Sequence, residues 1–69
     1  MVMFREDQLV KVSATCVDPL RNKTGTVKMI ESDGAAWIHF QGGVKETEVR
    51  HHKVRGQCVL MYPDECDPL

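Results

Sequence analysis

Apolar and polar residues alternate with a period of two along much of this chain, in short runs separated by turn-forming residues. Over residues 9–17 (L-V-K-V-S-A-T-C-V) the alternation sets Val10, Val12, Ala14 and Cys16 on one side and Lys11, Ser13 and Thr15 on the other, as in a half-buried strand. Asp18-Pro19 ends that run, because proline lacks an N–H and biases the residue before it toward extended backbone; a polar loop continues to Lys23. Residues 24–41 (T-G-T-V-K-M-I-E-S-D-G-A-A-W-I-H-F-Q) carry the clearest hairpin pattern, with Asp33-Gly34 as a turn pair between two runs of strand formers. A two-residue turn, or a four-residue loop over 32–35, pairs Glu31 with Ala36, Ile30 with Trp37, Met29 with Ile38, Lys28 with His39 and Val27 with Phe40. Side chains alternate between faces, so this register predicts one apolar face of Val27, Met29, Ile38 and Phe40. The opposite face carries Lys28, Ile30, Trp37 and His39 and is the expected binding surface.

Gly25, inside the first strand of the hairpin, points to a bulge, a sharp bend or the close approach of another backbone. Gln41-Gly42-Gly43 turns the chain into a weaker strand over 44–49, whose outer face is charged, and residues 50–53 form a short turn. A last strand is expected over 56–62, ended by Pro63. Residues 1–7 read as a lead-in and 63–69 as a mobile acidic tail. No long helix is expected. Five short strands in one small domain point to an all-β barrel or sandwich, and a bent sheet wrapping on itself is the economical way to cover its edges.

The arrangement of residues 8–55 resembles the small Src-homology-3-like barrels, and more narrowly the KOW-type members of ribosomal and transcription-elongation proteins. The resemblance rests on a strand, a loop of about eight residues, then K-T-G-T-V-K-M-I and A-A-W-I-H-F, with Gly25 followed by alternating Val27 and Met29. The glycine usual before the first strand of that family is replaced here by Asp7-Gln8. The resemblance implies a five-stranded SH3-like barrel acting as a binding module. Similar barrels also serve as small subunits of enzyme complexes and as phage or prophage proteins.

Size and charge narrow the function. A chain of 69 residues buries only roughly 60% of the surface its unfolded form exposes, which leaves little room for both a core and an enclosed catalytic cavity. A net charge of −1 argues against a non-specific nucleic-acid coat. No apolar run is long enough to span a membrane, and the first seven residues lack the features of a signal peptide, so the expected location is the cytoplasm. Three cysteines are an odd number for a disulfide scaffold; Cys16 and Cys58 are expected as small core residues, with a Cys58–Cys66 bridge as the lesser alternative.

The candidate chemistry is that of recognition. Lys45, Arg50, His51, His52, Lys53 and Arg55 form the strongest basic cluster, suited to phosphates or an acidic partner as much as to a solvated turn. Trp37 is the single tryptophan, equally an interface anchor, a base-stacking platform, or a residue covered by a neighbouring loop. The set His51, His52, Cys58, Cys66 lacks a close Cys pair, and its adjacent histidines point apart, so no metal and no cofactor is expected. Cys16 has no nucleophile signature, and Glu46 and Glu48 read as solvated charge. The chain is therefore expected to be non-catalytic. It would dock on a larger protein through Lys28, Ile30, Trp37 and His39, as a component or modulator of a transcription, translation or other nucleic-acid machine, a description that fits a small phage-encoded protein. Direct RNA or DNA binding through Lys11, Lys28, Lys45, Arg50, Lys53, Arg55 and Trp37 is the first alternative. A structural subunit of an enzyme complex is the second.

Overall fold

A computed structural model describes residues 3–20 and 23–69. Met1 and Val2 of the expected lead-in, and Arg21 and Asn22 of the expected polar loop, lie outside them. Among the described residues there is no α-helix. The strands are β1 (Leu9–Val12), β2 (Thr24–Ile30), β3 (Ala36–His39), β4 (Val54–Arg55), β5 (Cys58–Met61) and β6 (Cys66–Pro68), and single 3-10 turns cover Glu46–Glu48 and Pro63–Glu65. They form one antiparallel sheet in the order β4-β5-β3-β2-β1-β6. It has six strands where five were expected, and no ladder joins β4 to β6, so it is an open sheet rather than a closed barrel.

The hairpin forms where the turn pair predicts it but in a different register. Glu31 N–H donates to the Ala35 carbonyl and Gly34 N–H to the Glu31 carbonyl, leaving a three-residue loop with Gly34 at φ +92°. A type I turn closed by a left-handed glycine has this form. The ladder pairs Ile30 with Ala36 and Met29 with Trp37, then shifts to pair Val27 with Ile38 and Thr26 with His39. Lys28 is thus the extra residue of a β-bulge. It moves Met29 out of the expected apolar face to lie opposite Trp37, and the new register sets Ile30 beside Ala36 rather than Trp37.

Val10, Val12, Val27, Ala36, Ile38, Phe40, Val59, Met61 and Cys66 make the buried side of the sheet. No second sheet covers them. The cover comes from connecting segments: Phe4 before β1, Cys16 and Leu20 after it, and Val49 with half-buried Val44 between β3 and β4. Strand β1 stops at Val12, so Ala14 is exposed instead of inward. The strand expected over 44–49 is a loop and a 3-10 turn, because its two valines must fold down onto the sheet. The C-terminal segment is a strand and not a loose tail: β6 pairs Cys66 with Val12 and Pro68 with Val10. Cys66 is buried and Cys58 half-buried, and no disulfide joins them.

Gly25 reports the tightest packing. It pairs with Val10, and a Cβ built there would lie 2.5 Å from Ile38 Cγ2, 3.0 Å from the His39 carbonyl oxygen and 3.0 Å from Phe40 Cε1. Close approach of β3 is therefore why this position is glycine. Gly25→Ala should lower stability by about 1–3 kcal/mol through overpacking, read as a fall in the urea midpoint at unchanged slope. An unchanged midpoint would show that β2 and β3 can separate at little cost.

Candidate functional site

Two features converge at one end of the sheet: a buried polar cluster and an open groove. Asp18 follows β1 in the covering segment and is only 2% exposed. Its Oδ2 accepts the backbone N–H of His51 at 2.9 Å and lies 2.6 Å from His52 Nδ1. On the other side of the ring, His52 Nε2 lies 2.6 Å from Glu65 Oε2. The His52 side chain is 5% exposed. Glu65 is held by its own 3-10 turn, where its Oε1 accepts the Tyr62 N–H at 3.0 Å. One imidazole therefore fastens the segment after β1, the turn before β4 and the turn before β6 to one another. Cys16 Sγ belongs to the same group, its ligating atom within 4.8 Å of those of His52 and Glu65.

Burial is the largest single influence on His52 and opposes its charge. The hydrogen bonds to Asp18 and then Glu65, with their negative charges, together outweigh it and hold the imidazole pKa above its ordinary value. For Asp18 burial likewise opposes ionisation, and the bonds from His52 and the His51 N–H prevail, lowering its pKa. With both ring nitrogens at carboxylate oxygens, the arrangement favours the protonated imidazole. The neighbouring Cys66 thiol is pushed up to about 12, first by burial and then by the Glu65 charge, and stays a neutral apolar group against Met61 Sδ.

The groove beside this cluster encloses about 860 Å³. Met3, Val17, Ile30, Leu60 and Tyr62 supply its apolar wall; Asp33, His51, Lys53 and Asp64 supply charge of both signs, and His52 and Glu65 form part of the floor. Met3 is 77% exposed, Val17 64% and Tyr62 47%, so the groove presents bare apolar surface.

The residues expected at one binding face are divided. Ile30 lines the groove, whereas Trp37 does not and is paired with Met29 and Leu60 in the ladders. The indole N–H of Trp37 donates to Glu31 Oε1 at 2.8 Å, and the Arg55 guanidinium sits 5.7 Å over the ring. His39 Nε2 is 2.8 Å from Gln57 Oε1, and Lys28 is the exposed bulge residue. The basic cluster is divided as well. His52 is enclosed by carboxylates and Arg55 lies on Trp37. The Lys45 N–H and Lys23 Nζ both meet Glu48, which lowers the Glu48 pKa, the Lys45 bond contributing most. Arg50, His51 and Lys53 remain exposed. Asp18, Glu65 and Cys16 were absent from the expected site: the first two lie 34 and 13 residues from His52, and no local pattern links them.

No family model, curated protein or solved structure matches this chain, so the site is read from its geometry. No helix among the described residues is long and apolar enough to cross a membrane.

The polar cluster should be visible in stability against pH. A histidine with a raised folded pKa adds stability that is complete below its ordinary value of 6.5 and is lost as pH rises through the folded value. Asp18, with a lowered pKa, adds stability present above 3.8 and lost as pH falls through its folded value. Thermal melting in chelator-containing buffer should therefore show greatest stability between those two ordinary values and a decline on both sides. His52→Gln should flatten the alkaline decline; a wild-type curve that keeps rising above neutral pH would contradict the assignment.

Proposed function

We propose that the chain is a non-catalytic interaction module that seats an apolar-anchored segment of a larger protein in the Ile30 groove. The observation that carries this reading is the bare apolar wall of Met3, Val17, Ile30 and Tyr62 within one concave surface. Interfaces of this kind combine an apolar centre with a polar rim. The rim here carries Lys53 and His51 together with Asp33 and Asp64. Both signs around an apolar wall favour a protein surface over a polyanion. The alternative of direct RNA or DNA binding loses support for a related reason: Arg55 covers the ring that would stack on a base, and His52 already answers two carboxylates.

Kinship with the small SH3-like barrels of KOW type is the architectural side of the proposal. Asp7 adopts φ +63°, a left-handed conformation that Asp tolerates better than most residues, at the position where that family has glycine. Gly25 is held against β3, as a strand wrapping tightly on its neighbour requires. On this reading the partner belongs to a transcription, translation or other nucleic-acid machine.

The test is affinity capture from the source cell followed by quantitative binding of each recovered protein. Ile30→Glu and Tyr62→Ala should each weaken a true partner tenfold or more, equivalent to about 1.4 kcal/mol. Val54→Glu, at an exposed residue outside the groove, should not. Equal binding by all three variants, or no recovered protein sensitive to the groove changes, would overturn the reading.

A further inference from the structure

Beyond docking, and independent of it, we propose that Cys16, His52 and Glu65 form a site for a single zinc-class divalent ion, with Asp18 orienting the histidine. The three side chains come from separate parts of the chain: the covering segment after β1, the turn before β4 and the 3-10 turn before β6. One ligand atom from each already lies within 4.8 Å of the others. The donor set of one sulfur, one nitrogen and one oxygen suits zinc and cobalt better than magnesium or calcium, which take oxygen alone.

The second layer is also in place. A metal-binding imidazole ordinarily donates its other N–H to a carboxylate, which fixes ring orientation and raises the basicity of the ligating nitrogen. Asp18 Oδ2, 2.6 Å from Nδ1, occupies that position and leaves Nε2 for the ion. Nε2 and Glu65 Oε2 are 2.6 Å apart, a hydrogen-bond distance. Tetrahedral zinc with bonds of about 2.0–2.2 Å requires these atoms to stand roughly 3.4 Å apart. Replacing the proton by the ion thus asks the Glu65 carboxylate to withdraw by roughly 0.8 Å, a movement within reach of one side-chain torsion. On binding, His52 Nε2 and the Cys16 thiol each lose a proton to solvent; the freed nitrogen and the thiolate sulfur join the ion, and Nδ1 keeps its proton toward Asp18. His52 and Glu65 also line the groove, so the fourth coordination position, held by water, opens on that side and gives the ion its entry path.

Cobalt titration of the chelator-treated full chain tests the site. One equivalent should produce the visible bands of tetrahedral cobalt with a thiolate charge-transfer band in the near ultraviolet, and zinc should abolish both. X-ray absorption of the zinc-loaded wild type should show one sulfur at about 2.3 Å and the remaining neighbours near 2.0–2.1 Å, a result that needs no variant to fold. Asp18→Asn should weaken zinc about 10- to 100-fold. The double variant Cys58→Ser, His51→Ala should bind as the wild type does, because neither residue belongs to the set. Absence of a sulfur neighbour, or a charge-transfer band that vanishes with Cys58→Ser, would overturn the proposal.

Discussion

The contact between His52 and its two carboxylates, Asp18 and Glu65, is the constraint on which this architecture rests. A single open sheet cannot bury one face unaided. Here the cover is made of irregular segments, each with few backbone bonds of its own. Leu20, Cys16, Val49 and Phe4 contribute apolar contact, but apolar contact has no direction. The histidine supplies direction, binding three segments at fixed distances through both ring nitrogens. Removing any one member would leave a buried polar or charged group with an unanswered partner, the costly case for such networks.

The bulge at Lys28 is the second determinant, and it acts on the surface more than on the core. One additional residue in β2 sends Met29 to the Trp37 side and Ile30 to the Ala36 side, where it reaches the groove. On that side Trp37 is tied to Glu31 and lies under Arg55, while Met29 beside it stays exposed. The groove keeps its apolar wall bare. A one-residue change of register thus decides which apolar side chain of β2 reaches the groove.

The groove and the polar cluster share His52 and Glu65, so the two proposals meet in space while resting on different observations. Docking draws on exposed apolar side chains; ion binding draws on buried donors beneath them. An ion at this position would replace a proton-mediated clamp by a coordinated one without changing which segments are joined. The covering segments would keep their places, and the floor of the groove would exchange an imidazolium–carboxylate pair for a metal with an open position.

Much of the fold follows from nearest-neighbour chemistry and was legible along the chain. Alternation marked the strands around Val10, Val27, Ile38 and Val59, Asp33-Gly34 placed the hairpin turn, and Gly25 announced a close approach that Ile38 and His39 make. Those features depend on residues within one strand or one hairpin. The bulge, the strand formed by Cys66–Pro68 and the burial of Asp18 depend on something else. Each is decided by the packed sheet: by the register β2 and β3 adopt together, by what Val10 and Val12 have available to pair with, or by which segment can cover Leu20 and Cys16. His52 shows the difference most plainly: in sequence it is one of several cations in a basic run, and only folding brings two distant carboxylates to its ring and converts a surface charge into the fastening of the cover.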